Sequence, residues 1–222
     1  MQPRTVRAAL ALVLAAVLAA GLAAGPAAAE GERAGDFDYY VMALSWSSGW
    51  CLREGDARGA DQCHPRHDYS FTLHGLWPQD EVGWPSWCRT GAADPGRAQT
   101  AAMADIMGSP GLAWHQWQKH GRCSGLTAQG YFDLSRRAYQ SVTIPPVLTR
   151  VDRDLTLPAR VIEEAFLEAN PDMQATGVTV TCEAGMIEEV RICLTRDLDP
   201  RPCGPDVARD CRMPDALLPA VR

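Results

Sequence analysis

The chain has 222 residues, 21 basic and 27 acidic side chains, and a formal net charge of −6. That balance excludes a protein that coats nucleic acid through a broad basic face. It leaves room for a small cationic pocket acting on a polyanion, for which Arg89, Lys119 and Arg122 are candidates.

Residues 1–29 read as an export signal: Arg4 and Arg7 lead, an Ala/Leu/Val run follows, and Ala27-Ala28-Ala29 closes it. The run is almost long enough for a membrane anchor, but Gly21, Gly25, Pro26 and the small-residue exit favour cleavage after Ala29. Cleavage leaves residues 30–222, enough for one domain with a sizeable core, and 19 basic against 27 acidic groups, a charge of −8. All eight cysteines fall in that part, and an even number behind an export signal implies disulfides in an oxidising compartment. No CxxC pair occurs, so spacing gives little support to a zinc site.

Tyr39 to Trp46 and Tyr69 to His74 have strand alternation, as do Thr176 to Glu183 and Met186 to Leu194. Ala98 to Met107, Gly130 to Ser141 and Ala159 to Glu168 have helical spacing. Helices and strands without regular βαβ alternation predict an α+β fold. Residues 55–67 and 82–96, rich in Gly, Pro and charge, read as surface loops, and the proline-rich tail after Asp197 as irregular chain pinned by Cys203 and Cys211.

The stretch WHQWQKHGRC, residues 114–123, reads as a helix entered after Ser109-Pro110-Gly111 and ended near Gly121. At ~100° per residue, His115, Lys119, Gln116 and His120 fall on one face and Trp117 and Trp114 on the other. The aromatic face is expected in the core. The polar face fits either a solvated surface or acid-base work on a charged substrate. A zinc site fits poorly, because the two histidines are five residues apart and lack the i, i+4 spacing of a zincin helix.

A second histidine lies in YSFTLHGLWPQ, residues 69–79. Alternation puts Tyr69, Phe71 and Leu73 on one face and Ser70, Thr72 and His74 on the other, with His74 at the strand end and Pro78 stopping pairing. A lone histidine there is more often structural. Two such segments, each flanked by Gly and Trp, are harder to explain that way. His64 and His67, in the loop CHPRH, receive no role.

HGLWPQ and WHQWQKHGRC resemble the two signature segments of the ribonuclease T2 family, secreted endoribonucleases that include the plant self-incompatibility ribonucleases. YYVMALSWSSGWC resembles the family's opening strand, and TCEAGMIEEVRICL its C-terminal strands, so most of residues 38–211 is covered. The resemblance implies a central, mainly antiparallel sheet with flanking helices, stapled by the pairs Cys88 with Cys123, Cys51 with Cys63, Cys182 with Cys211 and Cys193 with Cys203. Spacing alone leaves all 105 pairings of eight cysteines open.

The resemblance also implies chemistry. Cleavage of RNA by its own 2′-hydroxyl needs a base on that hydroxyl, an acid on the departing 5′-oxygen, and positive charge on the phosphorane. By resemblance His120 is the base, His74 the acid, Lys119 the phosphorane stabiliser and His115 a phosphate-binding group, with 2′,3′-cyclic phosphate and then 3′-phosphate as products. No metal or other cofactor is implied. The expected partner is single-stranded RNA, not DNA or a membrane, and the expected state is a secreted monomer, extracellular or periplasmic.

Gln116 stands where the family usually has glutamate, although glutamine also occurs there; it can donate a hydrogen bond but cannot ionise. Trp77 is the candidate base-stacking platform, with core packing as the competing reading. Leu112 and Gln79 match family positions near base-binding sites, and Trp84 and Trp87 either line the groove or pack within their loop. A secreted binding protein whose site has decayed at Gln116, and a secreted zinc hydrolase, are the alternative functions.

Overall fold

The computed structural model describes residues 32–222, so the expected export segment 1–29 lies outside the described residues. Strand β1 (Tyr39–Trp46) lies inside the sheet, and its alternation divides two faces. Met42, Leu44 and Trp46 enter the main core, while Tyr39 and Val41 join a small cluster on the opposite face. On that opposite face Ala43 and Ser45 are small, which leaves room for side chains of the neighbouring strands to cross above β1.

Chain order continues with α1 (Ser47–Trp50), β2 (Phe71–Gln79), α2 (Arg97–Ala101), α3 (Ala104–Met107), α4 (Pro110–Lys119) and α5 (Ala128–Ser141). Then come β3 (Leu155–Leu157), α6 (Arg160–Ala169), β4 (Val178–Glu183), β5 (Met186–Leu194) and β6 (Ala216–Leu218). The six-stranded sheet runs β2-β1-β5-β6-β3, with β4 also on β5. Pairing is antiparallel except between β5 and β6. Tyr131 and Phe132 of α5, Ile162 and Phe166 of α6, and Trp117 of α4 fill the core with Val190 and Ile192 of β5. The expected α+β fold and all four expected disulfides are present.

Four expectations need correction. The strand expected to end at His74 runs on through Pro78 to Gln79, because β2 is an edge strand, where a missing N–H is tolerated. The single helix expected over Ala98 to Met107 is two, because Arg136 takes the Ala102 carbonyl at 2.6 Å and the Ile106 N–H turns to Met103 instead. The tail is not wholly irregular: β6 joins the sheet there, and neither it nor the three-residue β3 has a periodicity long enough to read. Trp114 is not in the core but 38% exposed. The inward face of α4 is Ala113, Gln116, Trp117 and His120, an i, i+3, i+4, i+7 stripe that draws two of the polar residues inward.

Candidate active site

His74 is placed by a β-bulge. Ala43 and Leu44 of β1 pair with Gly75 and Leu73 of β2, so His74 is the extra residue opposite neither. The bulge resets the alternation. Leu73 and Leu76 both enter the core, while Thr72, His74, Trp77 and Gln79 line the cavities of the other face. A strict period of two would have put Leu76 beside His74.

Helix α4 starts where its sequence provides a start: the Ser109 hydroxyl accepts the Leu112 N–H at 3.1 Å and Pro110 occupies the first turn. Its Gln116 lies against β2, with its oxygen accepting the Trp77 indole N–H at 2.7 Å. Gly75 makes this approach possible, because a Cβ there would lie 2.3 Å from the Gln116 oxygen. Gln116 is 1% exposed, so the helix face read as polar is packed on the strand.

The two main histidines meet unlike surroundings. His120, 5% exposed, stacks on Trp77 with ring centroids 5.2 Å apart, and its Nδ1 has no hydrogen-bond partner among the described residues. Burial first, then the charges of Lys119, His74 and His115, push its pKa down to about 3. His74 is more open, and its Nδ1 hydrogen-bonds Glu189 of β5. Burial opposes ionisation of Glu189, but the bond and charge of His74 and the charge of Arg191 outweigh it and hold the carboxyl at about 2. His115 packs edge-on against Trp87 at 5.8 Å, and burial, Lys119 and His74 lower its pKa.

Two cavities meet at these groups. One, about 310 Å³, contains Trp77, Gln79, Trp84, Gln116, Lys119, His120 and Arg191; the other, about 480 Å³, contains Thr72, Ser109 and Leu112. His74 and His115 line both. The structure thus brings together His74, Trp77, His115, Gln116, Lys119 and His120. It does not bring Arg89 and Arg122 to them: those two line a separate pocket, where Arg122 pairs with Asp94 at 2.7 Å.

Glu189 and Arg191 escaped the sequence reading. The available signal was a buried-strand pattern, MIEEVRICL, carrying charges at alternate positions on a face that should be apolar or functional. Cys51, Asp56 and Cys63 cluster as metal-binding groups do, but the two sulfurs form a disulfide and are not thiolate ligands.

The sequence profile of the Ribonuclease T2 family matches residues 37–203. A ribonuclease of Aeromonas hydrophila is 36% identical over 203 residues, covering 87% of this chain and 90% of its own. In fold, the chain is similar to the RNase-related protein from Calystegia sepium, with a TM-score of 0.65 and 21% identity over 84% of this chain and 98% of that one. It is also similar to RNase NT, solved in complex with 5′-AMP, with a TM-score of 0.58 and 18% identity over 83% of this chain and 99% of that one.

Proposed function

This chain belongs to the ribonuclease T2 family and is a ribonuclease, and from the unlike surroundings of its two histidines we propose how it cuts single-stranded RNA. His120, neutral and desolvated, takes the proton of the 2′-hydroxyl as that oxygen attacks the neighbouring phosphorus. His74, backed by a carboxylate, gives a proton to the 5′-oxygen as the P–O bond breaks. The products are a 2′,3′-cyclic phosphate and a free 5′-hydroxyl, and water then opens the ring to a 3′-phosphate with the two roles reversed.

The observation that carries this reading is the contrast itself: a buried anion contacts one imidazole, while the other is buried against an indole with the charge of Lys119 beside it. An acid-base pair needs its members held in opposite protonation states. Lys119 stabilises charge on the phosphorane and His115 binds the phosphate. Gln116 has committed its oxygen to Trp77, so its amide N–H is the group left to meet a phosphate oxygen. These side chains cover the tasks of the reaction without a metal ion.

The two cavities suit the nucleosides on either side of the scissile phosphate, since His74 and His115 sit on their common border. Trp84 offers exposed ring surface to a base in one, where the Trp77 ring already carries His120 and the Arg191 guanidinium, and Leu112 lies in the other. RNase NT, similar in fold, carries 5′-AMP, which fits a nucleotide-sized site. Export in a single cleaved domain, residues 30–222, fits the four disulfides, and no described helix is long and apolar enough to cross a membrane. We take the working form to be a monomer.

The test is to incubate the protein with single-stranded RNA and DNA, with and without EDTA. Cleavage of RNA alone, unchanged by EDTA, is expected. No cleavage would favour a binding protein, and EDTA sensitivity a metal-dependent hydrolase.

A further inference from the structure

The sheet register places a carboxylate two strands away from His74 and leaves a path between them. Strands β2 and β5 flank β1, each about 4.8 Å from it, so the two backbones lie roughly 10 Å apart. Side chains bridge that gap only because β1 is small at this point: Ser45 pairs with both Thr72 and Glu189, and Ala43 with both Gly75 and Arg191. The bulge supplies the rest, by making His74 the residue free to lean across.

We propose that Glu189 is a positioning residue for His74: it accepts a hydrogen bond from Nδ1 and so leaves Nε2 as the nitrogen that serves the departing 5′-oxygen. This rests on the assignment of His74 as the acid.

The bonding around the carboxylate separates this role from that of an ordinary buried ion pair. An arginine pairing for stability alone can bridge both oxygens of its partner. Arg191 does not: its Nε and Nη2 both bond Oε2, at 3.0 and 2.9 Å. Oε1 is left to His74 Nδ1 and to the Ser45 hydroxyl at 3.2 Å. Glu189 is 3% exposed, and a carboxylate so buried is costly unless each oxygen is paired. Here one oxygen is held by the scaffold and the other is spent on the imidazole.

Protons balance simply. The Nε2 proton passes to the 5′-oxygen as the P–O bond breaks, the Nδ1 proton stays between His74 and Glu189 throughout, and the carboxylate gains none. In the second step Nε2 takes a proton from water. Glu189 therefore fixes the tautomer and the ring orientation without touching substrate.

The experiment compares two substrates, a dinucleoside monophosphate, whose alkoxide must be protonated to leave, and a nucleoside 3′-(4-nitrophenyl phosphate), whose phenolate leaves unaided. Glu189→Gln is nearly isosteric, but Arg191 will hold its oxygen and turn its amide donors toward His74. Its kcat on the dinucleotide should fall ~10- to 100-fold with KM within about twofold, while kcat on the aryl ester falls by less than about threefold. His74→Ala, run alongside, should show the same selectivity more strongly. If His74→Ala slows both substrates equally, the acid assignment fails. If His74→Ala is selective while Glu189→Gln slows both equally or neither, the positioning role is overturned. Should Glu189→Gln not fold, ¹⁵N NMR of the wild-type protein decides: neutral His74 should carry its proton on Nδ1, and an Nε2–H tautomer would contradict the proposal.

Discussion

The Trp77 indole N–H and the Gln116 side-chain oxygen, 2.7 Å apart, join the strand that carries His74 to the helix that carries His120. The bond spans a contact that only glycine permits, since a Cβ on Gly75 would fall 2.3 Å from that oxygen and 2.4 Å from the indole nitrogen. Gly75→Ala should therefore separate the two histidines. We expect a loss of about 1–3 kcal/mol in urea denaturation and a drop in kcat larger than the stability loss explains. Unchanged kcat would show that the junction does not set the histidine geometry.

Gln116→Glu keeps an oxygen for the indole and adds a negative charge one helical turn from His120. That charge favours imidazolium and raises the depressed pKa of His120. A base must be neutral, so the acid limb of the kcat/KM profile should move up by roughly half to one unit. An acid limb that stays in place, or moves down, would show that position 116 does not act on His120.

Stability should fall with pH in two overlapping windows. His120 titrates near 6.5 unfolded and at about 3 folded, so between these values the unfolded chain binds the extra proton and stability drops as pH falls. Glu189 titrates near 4.5 unfolded and at about 2 folded, so its contribution is present above the former and is lost as pH falls toward the latter. Urea midpoints of wild type and His120→Phe, followed from pH 7 to 3, should diverge first between pH 6.5 and 4.5, with the variant flatter. Parallel curves would rule out the buried neutral imidazole.

Trp87 combines a positive φ of 54° with a ring that is 51% exposed beside His115. Both features cost stability, and although Trp87 lines the Arg122 pocket rather than either cavity, its edge contact with His115 puts it at the rim where RNA would leave the site. Trp87→Gly should leave the thermal midpoint equal or higher, while raising KM for RNA several-fold. A lower midpoint with unchanged KM would mark Trp87 as loop packing.

The sequence made the four longer strands, the presence of disulfides and the two histidine segments legible, because each is local: alternation, an even cysteine count, and short spaced motifs; which cysteines pair came only with the family resemblance. What it concealed depends on register. The bulge at His74 is a mismatch between two strands, invisible in either alone. Glu189 and Arg191 become site residues only when β5 is laid beside β1 and Ala43 and Ser45 prove too small to screen them. Arg122 failed as a site cation for the same kind of reason, since Asp94, 28 residues away in sequence, is its partner. The inward turn of Gln116 follows from Gly75 on another element, which no helical wheel contains.

In the proposed mechanism two histidines pass protons around an attack by the RNA's own 2′-hydroxyl. That mechanism is tested most directly by a ³¹P NMR time course on a dinucleoside monophosphate and its 2′-deoxy analogue, in EDTA. A 2′,3′-cyclic phosphate signal should rise first and decay slowly to 3′-phosphate, with the deoxy analogue inert. A 5′-phosphate product, or cleavage of the deoxy analogue, would contradict it.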